Sequence, residues 1–143
     1  MGTSVIIPTY RRAELLRETL NSLIPQTDRD FDVVVVSDGE DPPTRALSQN
    51  YPAKFPLTWI FTAENHGLPS ARNTGANAAQ GEILIFLDDD TTPVPDWISQ
   101  HRKHHLTDNS GMLAVVGKVV DVFPGEPSGG HVSELETGCP LGF

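Results

Sequence analysis

Three consecutive carboxylates, Asp88-Asp89-Asp90, stand at the end of an unbroken apolar run, Ile83-Leu84-Ile85-Phe86-Leu87. Packed side by side they repel one another, and a cation is the usual remedy. Carboxylate oxygens suit magnesium or manganese, which bind through one or two carboxylates together with a substrate's phosphates. The apolar run, bounded by Gly81 and Pro93, reads as a strand buried on both faces and hence as the middle of a parallel sheet. Open α/β sheets place their ligands outside the carboxyl ends of such strands, where these acids stand.

Other groups have the same kind of address. Asp38 closes the run Val33-Val34-Val35-Val36 and precedes Gly39, so it is a turn residue or an acceptor facing a ligand. Pro8-Thr9-Tyr10 ends the first apolar run and is a strand stop or one wall of a site. A flat aromatic beside a carboxylate is what a nucleobase needs, one face to stack on and one acceptor for a ring N–H. Arg72, within Asn65-His66-Gly67-Leu68-Pro69-Ser70-Ala71-Arg72-Asn73-Thr74-Gly75, brings positive charge to an acidic neighbourhood. It suits a diphosphate or a bidentate carboxylate pair, or else ties its helix to the sheet. His101, His104 and His105 fall at i, i+3 and i+4 and read as a solvated helix face rather than a metal site. His66 and His131 carry no signal alone.

The elements that must position these groups follow from periodicity. Strands are expected at Ser4 to Ile7, stopped by Pro8, at Phe31 to Ser37, at Leu57 to Thr62, at Ile83 to Leu87 and at Leu113 to Phe123. Helices are expected from Arg12 to Ile24, from Pro42 to Leu47, from Pro69 to Gln80 and from Pro95 to Leu106. The helix after Pro69 has an inner face of small residues, Ala71, Gly75, Ala78 and Ala79, which allows close approach to a sheet. This alternation predicts an α/β fold, a doubly wound and largely parallel sheet with flanking helices over residues 4–123. Residues 124–143 are rich in Gly, Pro and Ser and read as an irregular segment. Three polar clusters then meet at the strand C-termini: Pro8-Thr9-Tyr10, Asp38-Gly39 and Asp88 to Asp90.

Composition narrows the function. The 143 residues suffice for one domain with a core. With 10 Lys+Arg against 19 Asp+Glu, a net charge of -9, the chain lacks the basic stripe of a nucleic-acid binder. A single anionic ligand is still accommodated, since a bound metal reverses the local field. Cys139 is the only cysteine, so a reducing compartment is expected, cytoplasmic or on the cytosolic face of a membrane. No apolar stretch nears the ~20 residues of a membrane span.

Taken in order, Ser-Val-Ile-Ile-Pro-Thr-Tyr at 4–10, Val-Ser-Asp-Gly at 36–39, Asn-x-Gly-x-x-x-Ala-Arg-Asn-x-Gly at 65–75, Gly-Glu-Ile-Leu-Ile-Phe-Leu-Asp-Asp-Asp at 81–90 and Pro95-Asp96-Trp97-Ile98 resemble the N-terminal half of a family 2 glycosyltransferase with the GT-A fold. The resemblance implies a nucleotide-diphosphate sugar donor, a UDP-sugar or a related nucleotide sugar, with Mn2+ or Mg2+. It implies that Pro8, Thr9 and Tyr10 line the base pocket and that Asp38 accepts from the base's ring N–H. Arg72 would lie beside base and diphosphate, and Asp88 and Asp90 would form the D-x-D pair. Asp90, with Asp88, would hold the metal, while Asp88 and Asp89 lie nearer the ribose. Family members of this type invert the anomeric centre in one displacement, toward a glycan, lipid-linked or protein acceptor.

Two departures stand out. Arg11 occupies a position where many members carry Asn. The family's catalytic base is expected beyond Phe143, because Glu126, Glu134 and Glu136 match no base motif. The expectation is a truncated enzyme, the donor-binding half, with an edge strand or apolar patch left open. A non-catalytic nucleotide-sugar-binding module fits the same residues. So, more distantly, does the D-x-D-x-T motif of haloacid-dehalogenase-type phosphatases, with Asp88 as phosphoryl acceptor and Asp90 as acid/base. That motif needs a later Lys and acidic pair, which the chain does not supply.

Overall fold

The computed structural model describes residues 2–108, 113–117 and 135–137. Four strands, β1 (Thr3–Thr9), β2 (Phe31–Ser37), β3 (Leu57–Phe61) and β4 (Ile83–Phe86), make one parallel sheet in the order β3-β2-β1-β4. Helices α1 (Ala13–Ser22), α2 (Pro42–Asn50) and α3 (Leu68–Ala78) connect them, and α4 (Trp97–Thr107) follows β4. The chain steps outward from β1 to β3 and then returns across β1 to lay down β4. The strand order therefore reverses between β1 and β4, and an open α/β sheet has its ligand crevice at such a point.

The two faces of the sheet are packed differently. Val5, Ile7, Val33 and Val35 meet Leu16, Leu20 and Leu23 with Leu47 and Ile98, forming the larger core. On the opposite face, Val34 and Val36 pack under Ala71 of α3. Glycine lets that helix lie close: a Cβ on Gly75 would sit 2.4 Å from Cγ2 of Ile6. Of the small-residue face expected on α3, Ala71 and Gly75 are buried, whereas Ala78 is exposed at the helix end. Gly81 makes a second close approach, where a Cβ would come 2.6 Å from the Ser4 backbone nitrogen.

Pro8 does not stop β1. It pairs with Val36 of β2, and the strand runs on to Thr9. The ladder with β4 reaches only Ile6 and Phe86. One last bond joins the Leu87 N–H to the Ile6 carbonyl at 3.0 Å. Backbone groups two residues apart point the same way along a strand, so the missing N–H of Pro8 faces the side where β4 has already departed.

β4 is not a central strand buried on both faces. Among the described residues it is the edge of the sheet, with Leu84 38% and Phe86 46% exposed. The unbroken apolar run conceals a strict alternation: Ile83, Ile85 and Leu87 are buried while their neighbours are open. The strand expected at Leu113 to Phe123 is represented by β5 (Val115–Gly117), and residues 118–123 lie outside the described residues. β5 pairs antiparallel with β6 (Leu135–Thr137), apart from the main sheet. Three residues are too few to show a period, and β6 lies where an irregular segment is expected. Glu136 is on β6, while Glu126, Glu134, His131 and Cys139 lie outside the described residues.

Candidate functional site

A cleft of about 440 Å³ opens at the carboxyl ends of β1, β2 and β4. Pro8, Thr9, Tyr10, Asp38, Asp88, Asp89 and Asp90 all line it. These expected residues are brought together by one feature, the reversal of strand order between β1 and β4; Arg72, also expected there, is not among the lining residues and meets the cleft only through Asp88.

The alternation of β4 continues through its acids and assigns them different places. Asp88 and Asp90 are exposed, and Asp89 between them is buried. Asp89 accepts the Thr9 hydroxyl at 2.7 Å and one Arg12 N–H at 3.3 Å, and its carbonyl accepts the Thr19 hydroxyl at 2.8 Å. It therefore fastens the loop after β4 to β1 and α1. Burial pushes its carboxyl above the ordinary range. The Thr9 hydrogen bond and the Arg12 charge pull it back down, and the Asp90 charge adds to the rise.

The two outward carboxylates are each held by an arginine. Arg72 Nη2 lies 3.1 Å from Asp88 Oδ1, and Arg12 Nη1 lies 3.3 Å from Asp90 Oδ2. These contacts are more than a third exposed, so each is worth little on its own and is readily exchanged. The Nε of Arg72 is buried and has no acceptor among the described residues. Arg12 is a site residue that sequence reasoning did not single out. Its signal was its place two residues after the first polar cluster, at the start of α1.

Asp38 sits at the end of β2, 5% exposed. One oxygen accepts the His66 N–H at 3.0 Å and the Thr62 hydroxyl at 3.3 Å; the other accepts the Gly67 N–H at 2.8 Å. The carboxylate therefore shapes the entry to α3, with Gly67 in the left-handed region at φ 91°. A carboxylate has about four acceptor positions, and these contacts fill three of them.

Gln26, by contrast, has no sequence signal. It is 1% exposed, donates to the Val94 carbonyl at 2.7 Å and accepts the Ile98 N–H at 3.1 Å. It caps α4 from a distance and steadies the loop that follows the acids. The histidine reading changes as well. His101 is not on a solvated face but 5% exposed, its ring edge-on to Trp97 at 5.1 Å. Burial, then the charges of His105 and His104, lower its pKa from 6.5 to about 4.

Among the described residues no three His, Cys, Asp or Glu side chains gather as a complete metal cage. A divalent ion of the magnesium or manganese type does not need one, since one or two carboxylates suffice when phosphate oxygens supply the rest. The outward carboxylates of Asp88 and Asp90, on one cleft, fit that requirement.

A doubly wound parallel sheet with an acidic cleft at its reversal point is the plan of the GT-A nucleotide-sugar transferases. The family model for glycosyl transferase family 2 matches residues 4–137, and the chain belongs to that family. It is 37% identical over 118 residues to the uncharacterized glycosyltransferase YfnE of Bacillus subtilis, covering 82% of this chain and 30% of that protein. Among solved structures, it is similar to the mannosyltransferase PcManGT of Pyrobaculum calidifontis in complex with GDP-Man and Mn2+. There the TM-score is 0.68 with 31% identity, covering 82% of this chain and 35% of that one. S. aureus TarS 1-349 in complex with UDP-GlcNAc gives a TM-score of 0.69 at 29% identity, covering 89% of this chain and 36% of that one. The chain spans about a third of the length of these proteins. The phosphatase reading of the same acids is set aside by this membership.

Proposed function

We propose that the cleft binds the donor of a glycosyl transfer, a nucleoside-diphosphate sugar, and that the chain is the donor-binding part of an inverting transferase. The observation that carries this is the splitting of the acid run: two outward carboxylates with arginine partners, beside an exposed tyrosine and a buried aspartate with one acceptor position to spare. Tyr10 offers a stacking face to a base, and Asp38 offers the acceptor for its ring N–H. Arg72 and Arg12 pass to the diphosphate oxygens when a cation replaces them on Asp88 and Asp90. Manganese or magnesium would be held by Asp90 and Asp88, where it neutralises charge on the departing diphosphate. Asp89 keeps its neighbours pointed outward.

The donor is proposed to be UDP-linked. The similarity to TarS, solved with UDP-GlcNAc, supports that choice; the similarity to PcManGT, solved with GDP-Man, makes GDP the comparison to run. The acceptor is proposed to be a glycan, lipid-linked or protein, met on the cytosolic side. Calorimetric titration of UDP and GDP with and without Mn2+, beside Asp90→Asn, tests the reading. Metal-dependent binding that disappears in the variant is expected; no binding of either nucleotide by the folded wild type would overturn it.

A further inference from the structure

The turn from β1 into α1 carries a backbone conformation that its sequence does not favour. Arg11 has φ 55° and is the one non-glycine residue with positive φ among the described residues. A side chain there crowds the neighbouring carbonyl, and only Gly, Asn and Asp adopt the region routinely. Something must hold it. The Arg11 N–H donates to Oδ2 of Asp41 at 2.7 Å.

Asp41 is well placed to do this. It is 4% exposed and is the N-cap of α2, its Oδ1 accepting the Thr44 N–H at 3.2 Å. Its Oδ2 accepts the Thr44 hydroxyl at 2.7 Å as well as the Arg11 N–H. Capping requires only the first of these contacts. The second oxygen reaches out of the helix to a residue 30 positions earlier.

What the turn controls is the adjacent ring. Tyr10 is 38% exposed, so core packing does not fix it. The Arg11 guanidinium lies 4.9 Å from the ring centroid. At Gly39, a Cβ would come within 3.3 Å of Tyr10 Cε2. The ring is confined by its own turn on one side and by the β2 loop on another.

We propose that Asp41 is a positioning residue: it latches the Tyr10–Arg11 turn in its left-handed conformation and thereby sets where the Tyr10 ring stands at the cleft. The ring's role as a base wall rests on the function proposed above, whereas the latch does not.

The chain has two tyrosines, so a tyrosine-labelled NMR spectrum reads Tyr10 directly. It also carries an internal control. Tyr51 sits at the far end of α2, its hydroxyl donating to Asn21 at 3.1 Å. Asp41→Asn is expected to shift or broaden the Tyr10 ring resonances and to leave Tyr51 nearly in place. In an Arg11→Asn background, where the residue adopts positive φ unaided, the same substitution should move Tyr10 far less. If Tyr51 moves as much as Tyr10, and the Arg11→Asn background makes no difference, Asp41 is only a helix cap and the proposal fails. Should Asp41→Asn not fold, Asp41→Ser keeps a capping oxygen for the Thr44 N–H and has no second oxygen for the Arg11 N–H; an unmoved Tyr10 there also overturns it.

Titration with UDP and Mn2+ adds the second readout, an affinity about tenfold weaker in Asp41→Asn and recovered in the double variant. A wild type that binds no nucleotide, with the Tyr10 pattern intact, leaves the latch standing and removes the donor reading. Normal binding with Tyr10 unmoved in Asp41→Asn does the reverse.

Discussion

Thr9 and Asp89, separated by 80 positions, are joined side chain to side chain at 2.7 Å, and this contact ties the end of β1 to the acid loop. The hydroxyl faces a carboxylate that is 6% exposed, so neither group has water to fall back on. Thr9→Val keeps the shape and removes the donor. A cost of about 1–3 kcal/mol is expected, seen as a melting temperature lower by several degrees. An unchanged melt would mean that the contact contributes nothing.

Arg12 bridges the buried and the outward acid, at 3.3 Å from each. If it passes to the diphosphate when donor binds, Arg12→Gln should weaken UDP by about tenfold and leave uridine almost unaffected. Calorimetry with the two ligands separates a phosphate contact from a general disturbance of the cleft, which would weaken both.

Gly75 is a contact position rather than a flexible one. Gly75→Ala improves helix propensity by about 1 kcal/mol, yet its methyl would lie 2.4 Å from Ile6 Cγ2 and 3.3 Å from Val36 Cγ2. The steric term should win, with a net loss of about 1–3 kcal/mol. Adding Ile6→Ala should return part of it, and a double-mutant cycle from chemical denaturation would show favourable coupling.

His101 gives stability a pH dependence of known sign. Its folded pKa, about 4, lies below the ordinary 6.5, so the unfolded chain takes up this proton first as pH falls. Its contribution is complete above pH 6.5 and is lost as pH falls toward 4. Melting curves across that window should drop less steeply for His101→Phe, which keeps a ring against Trp97. Parallel acid limbs would contradict the assignment.

Much of this was legible in the chain. The alternation of apolar runs and helical stripes gives the four parallel strands and their helices. The rule that ligands gather at strand carboxyl ends brings Thr9, Asp38 and Asp88 to Asp90 into one cleft. What stayed hidden has a common physical cause: residue type does not report direction. Leu84 and Phe86 are as apolar as Ile83 and Ile85, so the two-residue alternation could not be read, and with it went the burial of Asp89. Gln26 and His101 are polar residues in the core, satisfied by Val94 and Ile98 in one case and seated against Trp97 in the other. Only tertiary contacts distinguish them from surface residues. The extension of β1 through Pro8 depended on where β4 ends, which no local pattern states.

Gly81 lies at the end of the sheet opposite the acids, where the chain presses on the backbone of Thr3 and Ser4. Its N–H donates to the Ser4 hydroxyl at 2.9 Å. β1 and β4 are thus clamped at that end and part company at Pro8, so the pair forms a wedge with its apex at Gly81. A side chain forced in at the apex would spread the strands from the wrong end. The change would be felt as a different width of the cleft, although Gly81 is not among the residues that line it.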